Sequence, residues 1–292
     1  RASRVLGLAG LAVIAALAPL AHDAWRRQAS VRVEVGDTEV RGVDAAGRMT
    51  WRRGIRGAVD RHERVDLDGD GRSEVLVVSW PDEDTLVRSD PGRHSELTAL
   101  TTEGDVLTRV VPEELVQVWR FRYPKVFRPH VETGDLDGDG TADIVVNCRQ
   151  QGFYPSALLV YWSQWDRWEH VLNHWGRIYD VELMPSSASP AIRFLAVNNA
   201  LGMLPFIGQV ALVPPSQRDS VFGGSPGIWP PGGTLGTGET HFVRAQAYVP
   251  LPEPREEGVW APWLTTEPDG GVAFGYGGLE GRLDPRFNPV PG

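Results

Sequence analysis

Two acidic loops of the same design constrain this 292-residue chain more than any other feature. In residues 66–74, aspartates occupy positions one, three and five, glycine position six and a carboxylate position nine, and residues 135–143 repeat the arrangement. Alternating carboxylates before a glycine that permits a sharp turn direct hard oxygen ligands toward one point. So many anions repel one another unless a cation neutralises them. The pattern predicts two cation sites, with calcium favoured over magnesium, which requires a small octahedral shell.

Both loops lead into short, β-branched apolar runs, which are typical of buried strands. A helix–loop–helix calcium site of the EF-hand type would require a bidentate glutamate at position twelve and a helix on each side. Position twelve is Val77 in the first loop and Val146 in the second. The sequence therefore predicts calcium loops that enter strands, and the alternative is a pair of metal-free acidic turns.

This combination of acidic loop and following strand resembles the FG-GAP repeat family, also called integrin-α-like or VCBS repeats, over residues 58–80 and 127–148. In that family each repeat is one blade of a β-propeller, and calcium binds in a loop between two strands. The resemblance implies two bound calcium ions. The implied ligands are Asp66, Asp68, Asp70, the main chain of Arg72 and Glu74 in one loop, and Asp135, Asp137, Asp139, the main chain of Thr141 and Asp143 in the other.

The rest of the chain favours many short strands joined by turns. Glycine and proline number 33 and 23, and long amphipathic helical patterns are scarce after residue 30. Residues 42–51 and 97–107 each place an acid–glycine turn between apolar segments, which predicts hairpins. We predict an all-β fold, a β-propeller-like array of about four or five antiparallel blades, preceded by one N-terminal hydrophobic helix.

The domain boundaries follow from shifts in composition. The predicted units are a signal or anchor helix with its flank at 1–28, propeller repeats at 29–220, a Gly/Pro-rich loop at 221–240 and C-terminal strands completing the β domain at 241–292. Residues 5–21 are almost continuously apolar, with arginines on both sides, and are either an export signal or a retained anchor, of which the anchor is favoured. Because the chain begins with arginine, a fragment or a processed form is also expected.

The expected location outside the cytoplasm rests on calcium, because extracellular calcium modules bind at roughly 0.1–1 mM. We therefore predict a membrane-anchored periplasmic or cell-surface domain, or a secreted one if residues 5–21 are cleaved. The formal net charge of −9 argues against nucleic acid as a partner. The single cysteine, Cys148, excludes an intrachain disulfide.

No constellation of catalytic side chains is recognisable in the sequence, so we predict a non-catalytic domain for protein or glycan recognition or adhesion. Trp165 and Trp168, in a stretch rich in aromatic and polar residues, are candidate ligand-binding residues, although packing between blades is the favoured explanation for them. Two alternatives remain open. One is the calcium-stabilised propeller of a polysaccharide-degrading enzyme, and the other is the sensor domain of a larger membrane receptor.

Overall fold

The structure is a computed structural model that describes most of the chain between residues 31 and 290. The described residues are 31–80, 95–112, 127–150, 156–174, 176–187, 190–198, 204–217, 243–251, 262–276, 279–285 and 290. Within this part, regular structure consists of β-strands and two short 3-10 turns at Ser163–Trp165 and Pro215–Gln217. The strands are β1 (Arg32–Val35), β2 (Glu39–Val43), β3 (Met49–Gly54), β4 (Ala58–Val65), β5 (Glu74–Trp80), β6 (Glu96–Leu100), β7 (Val106–Val110), β8 (Phe127–Gly134), β9 (Asp143–Gln150), β10 (Ser156–Trp162), β11 (Arg167–His174), β12 (Ile178–Met184), β13 (Ala191–Asn198), β14 (Leu204–Leu212), β15 (Val243–Pro250), β16 (Trp263–Thr266), β17 (Val272–Tyr276) and β18 (Leu279–Leu283).

The strands form five antiparallel sheets, each a meander in which every strand pairs with the next one in the chain. The sheets are β1–β3, β4–β7, β8–β11, β12–β15 and β16–β18. The predicted all-β class is confirmed, and the two predicted hairpins are β2–β3 and β6–β7. A closed propeller ring is not found among the described strands, and the propeller-like arrangement of the sheets stays a prediction.

The core lies between consecutive sheets, which pack face to face in chain order. Separate apolar clusters join the first sheet to the second, the second to the third, the third to the fourth and the fourth to the fifth. Adjacent residues Leu158 and Leu159 on β10 belong to different clusters, because neighbouring side chains point to opposite faces of a strand. Burial on both faces explains why β5 and β10 are continuous apolar runs instead of alternating ones.

The first strands of the later sheets lie beside one another, β12 next to both β8 and β16. Asp180 and Glu182 on β12 accept hydrogen bonds from the backbone amides of Leu264 (2.9 Å) and Thr266 (2.5 Å) on β16. Behind them Arg193, only 2% exposed, donates to the Thr266 hydroxyl at 2.6 Å. Side-chain carboxylates therefore bind one edge of β16, where a backbone strand would otherwise pair.

Two predicted segments lie outside the described residues, namely the N-terminal helix with its apolar run at 5–21 and the Gly/Pro-rich loop at 221–240. Within the described part, no helix has the length and apolar character needed to cross a membrane. The strand after the Gly/Pro-rich loop, β15, pairs with β14 and so belongs to the fourth sheet.

Candidate metal sites

Both acidic loops occupy the same place in their sheets, between the first and the second strand. Residues 66–73 connect β4 to β5, and residues 135–142 connect β8 to β9. Each loop is thus held at both ends by a paired antiparallel ladder and opens into a buried strand, as the apolar runs predicted. The helices of an EF-hand are absent from both flanks, which are fully described.

In the first loop, the carboxylate of Asp66 organises the turn. Its two oxygens accept the amides of Gly69 (2.8 Å) and Gly71 (3.0 Å), whose φ angles of 74° and 82° lie in the left-handed region that glycine adopts readily. Carboxylate oxygens of Asp66, Asp68 and Asp70 lie within 4.8 Å of one another. The structure therefore brings together the three alternating aspartates that the sequence predicted.

The second loop repeats the turn but gathers a different set of carboxylates. Asp135 accepts the amides of Gly138 (2.7 Å) and Gly140 (3.0 Å). Oxygens of Asp135, Asp137 and Asp143 lie within 4.8 Å of one another. Asp139 stands outside this set, and one of its oxygens accepts hydrogen bonds from both the amide (2.7 Å) and the hydroxyl (2.6 Å) of Thr141.

The position-nine carboxylates, Glu74 and Asp143, are almost fully buried, at 3% and 1% exposure. Each accepts the amide of position two in its own loop, Leu67 at 2.7 Å or Leu136 at 3.1 Å, and Asp143 also accepts the amide of Ser163 at 3.1 Å. Burial raises the pKa of Asp143 to about 7 and raises that of Glu74 as well. Asp143 joins the second carboxylate set, whereas Glu74 is not part of the first.

The residues present fit a bound calcium ion. Asp137 has one carboxylate oxygen, Oδ1, that is buried and has no hydrogen-bond partner, and its pKa is raised by burial and then by the neighbouring Asp139. A buried acceptor without a donor is costly, and a cation would satisfy it. The side-chain atoms gathered in both sets are carboxylate oxygens, and Ca²⁺ prefers oxygen ligands whereas softer metals prefer nitrogen or sulfur. The sets that could hold it are Asp66, Asp68 and Asp70, and Asp135, Asp137 and Asp143.

The two residues predicted to bind through their carbonyl oxygens also stabilise the turns through other groups. The amide of Arg72 donates to Asp70 at 2.8 Å, and its guanidinium donates to Glu103 at 3.2 Å. Thr141 binds Asp139 as described above. The metal-binding roles of the Arg72 and Thr141 carbonyls, and those of Glu74 and Asp139, stay predictions.

The two loops touch each other, which the sequence did not indicate. The amide of Ala142 in the second loop donates to the backbone carbonyl of Asp66 in the first, at 3.3 Å. A methyl carbon of Thr141, Cγ2, lies 3.0 Å from the position that a Cβ on Gly69 would take. The second loop in turn contacts the β12–β13 connection, where the Ser186 amide donates to the Leu136 carbonyl at 2.8 Å. The two acidic loops and the β12–β13 connection thus contact one another in sequence along one edge of the second, third and fourth sheets.

Replacing Gly69 by alanine is expected to destabilise the fold more than replacing Gly71. Both glycines have positive φ, so either change adds backbone strain of about 1–2 kcal/mol. Gly71 has open space where a Cβ would lie, whereas a Cβ on Gly69 would press on Thr141. In urea unfolding with chelator present, the unfolding free energy of Gly69→Ala should be lower than that of Gly71→Ala by roughly 0.5–1 kcal/mol. Equal losses would mean that the contact between the loops contributes nothing.

The two candidate ligand-binding tryptophans both pack against the apolar core. Trp168, partly buried between the second and third sheets, lies 5.0 Å from the Tyr161 ring, centroid to centroid, and its indole N–H donates to the Thr108 hydroxyl at 2.9 Å. Trp165 packs against the cluster between the third and fourth sheets. This packing accounts for both side chains, and a role for either in ligand binding stays a prediction.

We expect Trp168→Phe to lower the unfolding free energy by about 1 kcal/mol, because phenylalanine keeps an aromatic ring but loses the donor to Thr108. Thr108→Val removes the acceptor of the same hydrogen bond, and the variant with both changes completes a double-mutant cycle. Denaturant unfolding of the intact chain, the two single variants and the double variant gives the coupling free energy between Trp168 and Thr108. Additive losses would contradict the hydrogen bond as a source of stability.

Comparison with known proteins gives only distant structural similarity. No protein-family model matches the sequence, and no curated protein matches it. The similar solved structures include BBS1N in complex with ARL6DN, soaked with lead, at TM-score 0.42 and 10% identity, covering 89% of this chain and 67% of that chain. They also include the complex of the fission yeast SREBP–SCAP binding domains (TM-score 0.37, 7% identity, 90% and 60%) and the Dos1 propeller (TM-score 0.31, 10% identity, 87% and 63%). The chain spans about two thirds of the first of these chains and less of the other two.

Proposed function

We propose that this chain is a calcium-stabilised recognition domain in which two structural calcium ions fix the loops at one edge of a propeller-like array. One observation carries the proposal: both acidic loops join the first two strands of their sheets, and each brings three carboxylates within 4.8 Å. Two chance acidic turns would not be expected to share the same place, the same glycine conformations and the same capping of glycine amides.

The strand arrangement supports a propeller-like array. Three consecutive sheets are four-stranded antiparallel meanders packed face to face, and their neighbours have three strands each. The contacts of β12 with β8 and β16 place first strands side by side, as the inner strands of propeller blades lie. The acidic loops are then the connections between the innermost strand and the second strand of two adjacent blades, as in the FG-GAP repeats that the motifs resemble.

We further propose that the domain acts in protein or glycan recognition outside the cytoplasm, tethered through residues 5–21. Calcium loops of this kind suit compartments with millimolar calcium, and connecting loops on a rigid scaffold are common binding surfaces. In this proposal calcium is not a catalytic group: it neutralises the aspartates and holds the loops in one conformation.

Isothermal titration of the chelator-stripped full chain with calcium chloride tests the metal sites. We expect two ions per chain, with dissociation constants at or below about 1 mM. Asp68→Asn and Asp137→Asn, which each remove one carboxylate charge from one loop, should each reduce the stoichiometry to one. Asp105→Asn, an exposed aspartate outside both loops, should leave it at two. Absence of binding at millimolar calcium would refute the calcium proposal.

The recognition role needs a separate measurement. The full chain, immobilised and incubated with solubilised envelope proteins and glycans, should retain a partner in calcium and release it in chelator. The double variant Asp68→Asn/Asp137→Asn should fail to retain that partner in either condition. If the partner is retained equally with and without chelator and by the double variant, partner binding does not depend on the acidic loops.

A further inference from the structure

We infer that the two acidic loops bind calcium cooperatively, with each occupied loop raising the affinity of the other. This inference rests on the proposed calcium function and adds to it a direct coupling between the two sites. It is motivated by the backbone and side-chain contacts that join the loops.

The backbone contact joins residues at or beside predicted ligands. Asp66, whose side chain belongs to the first carboxylate set, accepts the Ala142 amide at its own backbone carbonyl, at 3.3 Å. Ala142 lies between Thr141 and Asp143, the position-seven and position-nine residues of the second loop. If calcium fixes the position of Asp66, it therefore also restrains Ala142. Ala142 is the covalent neighbour of two predicted ligands of the other site.

A second connection fixes the same segment from the opposite side. The hydroxyl of Ser163 donates to the Ala142 carbonyl, and the Ser163 amide donates to Asp143 at 3.1 Å. Ala142 is thus held by the first loop through its amide and by the β10–β11 connection through its carbonyl. When the first loop is ordered, the backbone that carries Asp143 is constrained before the second ion arrives.

The sign of the coupling depends on two opposing effects. Ordering of one loop lowers the entropy cost of ordering the other, which favours joint binding. Repulsion between two divalent ions opposes joint binding, and it weakens as the salt concentration rises. The loops carry four carboxylates each, so one bound ion leaves its loop with net negative charge. We therefore expect the ordering effect to exceed ion repulsion, with a coupling of at least fivefold, toward the lower end of typical values.

The test compares two-ion binding in the intact chain with binding to each loop alone. Calcium is titrated calorimetrically into the chelator-stripped full chain, Asp68→Asn and Asp137→Asn, at 0.15 M and 0.5 M sodium chloride. The product of the two dissociation constants of the intact chain should be at least fivefold smaller than the product of the two single-site constants. The ratio should persist or grow at 0.5 M salt, and Asp105→Asn should match the intact chain.

A second measurement needs no variants and so does not depend on their folding. The amides of Gly71 and Gly140, each bonded to position one of its own loop, are followed by NMR during a calcium titration of the isotope-labelled full chain. If the loops are coupled, both amide signals should change over the same range of calcium concentration, with a Hill coefficient above one.

The outcomes separate the two proposals. A chain that binds no calcium overturns the calcium function, and the coupling with it. Two ions that bind with a product equal to or weaker than that of the single sites, or glycine signals that titrate independently, overturn the coupling alone. A tighter product together with joint titration supports both.

Discussion

Calcium at millimolar concentration is expected to raise the melting temperature of this chain, and a chelator to lower it. An ion that binds only the folded state stabilises it by mass action, here by about 1–3 kcal/mol at saturation. For a chain of this size each kcal/mol corresponds to roughly 2–4 °C. The buried carboxylate of Asp143, which belongs to the second set, should make the response larger than surface charges would, because its negative charge is costly without a cation.

Differential scanning calorimetry in calcium, in magnesium and in chelator gives the measurement. Calcium should shift the transition upward, and magnesium should do so much less. In the double variant Asp68→Asn/Asp137→Asn the shift should disappear, whereas Asp105→Asn should keep it. A transition temperature that calcium and chelator leave unchanged would rule out structural calcium in both loops.

Much of the local structure could be predicted from the sequence because it depends on neighbouring residues. The alternating aspartates and glycines determine the capping of Gly69 and Gly138, and the β-branched runs after each loop form buried strands. Acid–glycine turns likewise located the hairpins β2–β3 and β6–β7. These features arise from contacts only a few residues apart, and such contacts leave a regular pattern in the chain.

The contacts that shape the candidate sites are long-range and left no such pattern. The hydrogen bond between Asp66 and Ala142 joins the loops of two different sheets, and the carboxylates of Asp180 and Glu182 bind a strand more than 80 positions away. The motif also implies ligands at the same positions in both loops. The structure instead gathers Asp70 in the first set and Asp143 in the second. The loops also differ at position seven, where the Thr141 hydroxyl donates to Asp139 and the first loop has Arg72.

In chelator, the unfolding free energy attributable to Asp143 is expected to fall as the pH rises from about 4 to about 7. The pKa of this buried aspartate is about 7 in the folded chain, against an ordinary value of 3.8. Between these values the folded state binds a proton that the unfolded state has released, so stability declines with rising pH. The pKa difference corresponds to roughly 2–4 kcal/mol. Calcium should reverse this trend, because it binds the ionised carboxylate that protonation would remove.

Comparison with Asp143→Asn isolates this contribution, because other acids titrate in the same range. Hydrogen bonding and ion pairing lower the pKa of Asp44, through Arg48, and that of Glu34, through Arg41. The stability that these two groups contribute therefore rises with pH, opposite to the contribution of Asp143. In chelator, the advantage of the intact chain over Asp143→Asn should therefore shrink by roughly 1.5–2.5 kcal/mol between pH 5 and pH 8. Urea unfolding at both pH values measures it, with Asp105→Asn as the control that keeps the slope of the intact chain. Parallel curves for the intact chain and Asp143→Asn would show that Asp143 stays ionised throughout, and that burial does not control its charge.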